Sequence, residues 1–391
     1  MAENIEVNSL KKRPKYWLLA LLLFPLLCLF CYLEVATLTD RYYKKLDRQS
    51  PRPIEIQISE SRIITSALPN CTYDLLWIDE YTLWLWDCKN DQAATISIRT
   101  GQIVYEKSTP VPEDELNIAI FEPTGKNKTI ATCTQQNLVV RGGSTKQGEY
   151  EITLWREEKI AATFPFSSEQ WENVDSSPDA LSGFSPNCEY FYLVLYGDFG
   201  PESFATKELW LLDVPNESFK LAFRGRQEAS YALFDVPVQY VIPSWSPDDH
   251  EFVFGDSVFG LEIYNVVNDK RRFLAGPSSK LSSPQWSPTG KWIAAQKYGE
   301  PSRNDSLGDD FLAVISPDGK EMALSSACSL IYEFAWSPSG KQIAYTCNYF
   351  SESSSEELAS PCPEGEQLDC SCYGSDSSHE TDAIWIWEIE K

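Results

Sequence analysis

One short pattern recurs through the chain and limits the folds open to it. It is clearest at Gln285 to Gln296, QWSPTGKWIAAQ: an aromatic residue, Ser-Pro, a small polar residue, Gly, then an apolar run. The pattern predicts strand, tight turn, strand. Pro fixes φ at the first corner and Gly supplies a corner with φ > 0. Trp286 and the apolar positions after the turn then face a packed layer. The pattern returns at Ser244 to Gly255 (SWSPDDHEFVFG) and Ala335 to Thr346 (AWSPSGKQIAYT). Weaker copies stand at Gly183 to Val194 (GFSPNCEYFYLV) and Ile120 to Ala131 (IFEPTGKNKTIA). Five copies in order indicate a repeat architecture.

Strand-like runs follow each copy and fill out blades of about four strands. The second blade is expected over about Glu115 to Phe166, with YEITLW and KIAATF as its outer pair. Blades three, four and five follow over about 181–223, 240–274 and 282–324. A further SPDGK, Ser316 to Lys320, is too close to Pro338 to open a blade of roughly 40 residues. It is assigned to the turn between the third and fourth strands of blade five. The last repeat supplies three strands, ending in AIWIWEIEK, and Ile54 to Ile64 alternates like a strand without a partner of its own. The expectation is a six-bladed, all-β ring in which this N-terminal strand forms the outer edge of the final blade. The first blade, from Asn70, is divergent: Asp79-Glu80 replaces the Ser-Pro-x-Gly turn. A turn there sets Cys71 opposite Cys88, at a distance a disulfide can span.

These repeats resemble the WD40-like propeller repeat of TolB-type proteins, whose pattern is W-S-P-D-G-x-x-[IL]-A. The resemblance covers five of the six blades. Cys188 and Asp249 depart from it at the turn-Gly position, and Phe184 and Phe121 stand for Trp. It implies the propeller fold and little about function. True TolB carries a further N-terminal domain, where this chain has a short stalk, so TolB's role is not transferred. Peptidases with such propellers carry a hydrolase domain, and no G-x-S-x-G elbow is present here.

Ahead of the repeats, Tyr16 to Leu33 is an uncharged apolar run, near the lower limit for a bilayer span. No A-x-A cleavage site follows it. The expected organisation is a cytoplasmic segment 1–15, an anchor 16–35, a charged stalk 36–53 and the propeller 54–391. Basic residues flank the anchor on both sides and orient it weakly. Cysteine usage favours an extracytoplasmic propeller, because nine of the eleven cysteines lie beyond the anchor without a repeated C-x-x-C pattern.

The net charge of −24 leaves no basic footprint for nucleic acid, and its plain role is solubility. Only His250 and His379 could serve a hydrolytic triad, and neither has a motif beside it. A carboxylate-based, glycosidase-like mouth and a purely structural envelope protein are the alternatives to a binding module. The segment 348–382 holds nine acidic residues and Cys362, Cys370, Cys372 and His379, at spacings that match no standard zinc site. A disulfide-tied loop fits it better. Cys328 and Cys347 flank the last-blade hairpin and form a second pairing candidate. No cofactor is expected, and calcium has no D-x-D-x-D-G loop to hold it. Long insertions at 197–207, 297–309 and 348–382 fall on one face. Their Asp198, Phe199, Phe204, Tyr298, Tyr349 and Phe350 are the candidate binding residues, for a protein or surface ligand.

Overall fold

The computed structural model describes residues 37, 40–58, 62–68, 72–87, 92–106, 128–146, 149–167, 179–196, 206–226, 243–256, 260–299, 310–326, 328, 330–349 and 381–389. The chain divides into two units, Met1–Ser50 and Pro51–Lys391. Within the first, 40–49 is helical and Lys44 pairs with Asp40 at 2.7 Å. The expected anchor, 16–35, lies outside the described residues. Among the described residues no helix is long and apolar enough to cross a membrane.

The second unit is a β-propeller of six antiparallel sheets, each running outward in chain order. Sheet one holds Thr72–Asp79, Thr82–Asp87, Gln92–Ser97 and Ile103–Glu106; sheet two holds Lys128–Cys133, Leu138–Lys146, Glu149–Arg156 and Lys159–Ser167. Sheet three runs from Asp179–Phe184 to Ser218–Arg226, and sheet four from Ser244–Trp245 to Lys270–Ala275. Sheet five runs from Leu281–Trp286 to Glu321–Leu324. Sheet six holds Leu330–Trp336, Gln342–Tyr349 and Thr381–Glu388.

Middle strands are buried on both faces, because each sheet has a neighbour on either side. Val314 and Ile315 show the consequence: both are buried, yet Val314 belongs to a cluster shared with sheet six and Ile315 to one shared with sheet four. Similar apolar clusters join sheets two and three, three and four, and six and one. Each fully buried Leu, Ile or Val in them contributes about 1.5–3 kcal/mol of transfer free energy.

An N-terminal strand does complete the last sheet, but not the one expected. Arg62–Leu68 pairs antiparallel with Thr381–Glu388, placing Arg62 opposite Ile386 and Ile63 opposite Trp385. Ile54–Glu55 instead adds a parallel fifth strand to sheet five, where Ile54 N donates to Lys320 O and Ile56 N to Met322 O. The alternating run is thus shared between two sheets.

The repeated turns are alike in detail. In each, the Ser N–H donates to the carbonyl five residues on, and the residue at the Gly position donates back to the Ser carbonyl. This holds for Ser185, Ser246, Ser287, Ser316 and Ser337. The Ser hydroxyl oxygen also accepts the N–H five residues on, at 2.9–3.2 Å. Gly290, Gly319 and Gly340 take φ of 69–72°. Ser316–Gly319 does connect the third and fourth strands of sheet five, as expected.

Sheet two departs from expectation. Its inner strand is Lys128–Cys133, and its first turn runs from Thr134 to Asn137, with Asn137 at φ 51° in the Gly position. Pro123 therefore does not open this hairpin. In sheet one the turn falls at Glu80-Tyr81, one residue later than expected, and a register shift returns Thr72 to a place opposite Asp87. Cys71 and Cys88 themselves lie outside the described residues.

Candidate functional site

The residue in the turn-Gly position points at the preceding sheet, and joint after joint uses it as a clamp. Cys188, at φ 60°, is disulfide-bonded to Cys133 of sheet two across a Cα separation of 6.2 Å. Asp249, at φ 58° and fully buried, accepts from Ser185 Oγ at 2.6 Å and from Asn187 N at 3.0 Å, both in sheet three. A Cβ added at Gly290 would meet Pro247 of sheet four at 3.4 Å, and one at Gly340 would meet Thr289 of sheet five at 3.0 Å. Glu80 of sheet one accepts from Ser339 N and Oγ of sheet six, at 2.5 and 2.7 Å. Glu80 stands where the others do, since Ile98 N donates to Tyr81 O just as Ile389 N donates to Lys341 O.

Sheet two is different. Among the described residues no side chain of its turn is bonded to sheet one: Gln136 Nε2 donates forward to Asn187 O of sheet three at 2.6 Å, and Asn137 lines a cavity of about 970 Å³. Thr132, Arg141, Trp155, Glu157 and Glu158 line it as well. Strand alternation explains the placement. Cys133, Leu138, Val140, Ile152 and Leu154 belong to the core shared with sheet three. Thr132, Arg141 and Trp155 alternate with them and face the other way, toward the side that ring order gives to sheet one.

Arg141 lies with its guanidinium carbon 4.5 Å from the centroid of the Trp155 ring. Its Nε and the Trp155 Nε1 are buried and, among the described residues, have no hydrogen-bond partner. A flat cation on an indole face is stabilised by about 0.5–2 kcal/mol and keeps its edge donors for another group. Beside them Glu157 and Glu158 form the two-residue turn between Arg156 and Lys159, at φ 50° and 63°. That geometry favours Asn-Gly, so two glutamates there hold their charges at the cavity at some conformational cost.

The sequence-predicted residues fare unevenly. Cys328–Cys347 is a disulfide, as expected, with Cα atoms 5.6 Å apart. Beside it, Gln296 Nε2 donates to Asp310 Oδ2 and to Ile331 O at the strand ends from which two insertions leave. Tyr298 is half-buried, with its hydroxyl 3.5 Å from Gln296 Oε1. Tyr349 pairs by its backbone with Thr381. Asp198, Phe199, Phe204, Phe350, Cys362, Cys370 and Cys372 lie outside the described residues. His250 is exposed in its turn, 3.3 Å from Asp248. Sequence reasoning missed Cys133–Cys188, Arg141 and Trp155. The first was findable by aligning the turns, which sets Cys133 in the Trp position and Cys188 in the Gly position.

No protein-family model matches the chain, and no curated protein matches it. Solved structures similar to it include tricorn protease, with TM-score 0.36 and 11% identity over 68% of this chain and 23% of that one. TolB from Acinetobacter baumannii has TM-score 0.33 and 15% identity, over 66% of this chain and 54% of that one. A calcium-binding protein, regucalcin, from Agrobacterium tumefaciens has TM-score 0.38 and 11% identity, over 87% and 98%. The chain spans less than two thirds of the first two. All three are β-propeller folds.

Proposed function

We propose that this chain is a membrane-anchored propeller that acts outside the cytoplasm as a binding module, without turning over a substrate. Six blades closed by the Arg62–Leu68 strand form its rigid frame. The apolar run Tyr16 to Leu33 would anchor it, and the Cys133–Cys188 and Cys328–Cys347 disulfides favour an oxidising compartment. The observation that carries the reading is the cavity walled by sheet two. It presents Arg141 on Trp155, whereas the turns of the other sheets are packed or clamped. Recognition sites combine an aromatic wall with a few placed polar groups in this way.

Affinity capture with the full chain tests this. The bait is compared with Arg141→Gln/Trp155→Ala and with a chain lacking 351–380. Loss of the captured ligand with the first variant alone supports the cavity. Loss only on deleting 351–380 moves the site to the insertion-bearing face. Capture unaffected by both overturns the binding-module reading of these surfaces.

A further inference from the structure

We propose that the cavity walled by sheet two, around Arg141 and Trp155, takes a short peptide with a free C-terminal carboxylate and a free ammonium group. The inference rests on the binding-module reading and adds the ligand's chemistry.

Arg141 is the cation of the cavity, in a protein whose net charge is −24. Among the described residues it has no carboxylate partner, and its ring contact with Trp155 holds the guanidinium plane in place. A guanidinium so fixed recognises a carboxylate by paired N–H donors. Glu157 and Glu158 reject a simple anion from the same space. Two exposed carboxylates at the cavity repel any polyanion and favour a ligand that brings its own positive charge. One ligand therefore has to carry both signs, separated along its length. Asn137 adds a carboxamide, which offers a donor and an acceptor to a peptide bond. Thr132 and Thr134 add hydroxyls at the same wall. A cavity of about 970 Å³ is at the upper end of the range for small-ligand sites and has room for a few residues. The orientation follows: carboxylate to Arg141, peptide bond by Asn137, ammonium by Glu157 and Glu158.

Trialanine is a suitable probe, because its methyl groups add little of their own. Binding to the full chain is measured by saturation-transfer NMR and titration calorimetry. Trialanine amide, which lacks the carboxylate, and N-acetyl-trialanine, which lacks the ammonium, are the comparison ligands. The expected result is trialanine binding with a dissociation constant on the order of a millimolar or tighter. The amide and the N-acetyl form should each bind about tenfold more weakly, the scale of one charged hydrogen bond. Arg141→Gln should remove the preference for trialanine over its amide. Glu157→Gln/Glu158→Gln should remove the preference over the N-acetyl form and leave the other intact. These reciprocal losses separate recognition from misfolding, which would abolish all binding at once. No trialanine binding, equal binding of all three ligands, or preferences unmoved by both variants overturns the proposal. If ligand capture still depends on Arg141 and Trp155 while trialanine fails, the peptide assignment falls and the binding module stands.

Discussion

Tyr192 shows how a single side chain ties this fold to pH. Burial pushes its hydroxyl up from the ordinary tyrosine value to about 12. The hydroxyl lies over Gly183, where an added Cβ would sit 2.8 Å from it. The folded protein therefore keeps the proton at a pH where the unfolded chain has released it. Stability from this group is complete below about pH 10 and is lost as pH rises from there through 12. Tyr192→Phe should leave stability at pH 7 nearly unchanged. Between pH 10 and 12 it should flatten the decline by about 2 kcal/mol, read from denaturant midpoints. Equal slopes for the two proteins would contradict the assignment.

At the scale of the element, the repeated turn is also the place where sheets are joined. Asp249 is the sharpest case, because two effects oppose each other there. Its φ of 58° favours glycine, and Asp249→Gly relieves that strain by about 1 kcal/mol. The same change removes the buried carboxylate that accepts from Ser185 Oγ and Asn187 N, at a cost of about 1.5–3 kcal/mol for bonds to a charged group. The second effect is larger, so Asp249→Gly should destabilise by about 0.5–2 kcal/mol in chemical denaturation. A stabilised variant would show that the clamp contributes nothing.

The same turns explain what the sequence made legible. Ser-Pro-x-Gly announces its geometry because Pro and Gly each fix a corner, and the hairpins that begin at Ser246, Ser287 and Ser337 form as read. Sheet two hid its turn behind Thr134 and Asn137, while Pro123 offered a false start. The clamps were not legible, since a residue that departs from a pattern does not say which sheet it reaches. Arg141 and Trp155 look like an ordinary strand alternation, and only the missing clamp beside them marks the cavity.

For the whole molecule, closure depends on a strand distant in sequence. Arg62–Leu68 supplies the outer strand of the last sheet, and Trp77 Nε1 of sheet one donates to Ala335 O of sheet six at 3.0 Å. Trp336 Nε1 donates to Gln285 O of sheet five in the same manner, so the first and last sheets meet much as two consecutive ones do. Alternation over Ile54 to Ile64 announced a single strand, where the structure has two, in different sheets. It did not fix the boundary, because an edge strand takes its register from partners far along the chain. Hydrogen exchange on the full chain and on a chain lacking 54–68 tests this closure most directly. The amides of 62–68 and 381–388 should be protected together in the full chain, and 381–388 should lose protection in the deletion. Rapid exchange across 62–68 in the full chain, or undiminished protection of 381–388 without it, would contradict the closed propeller.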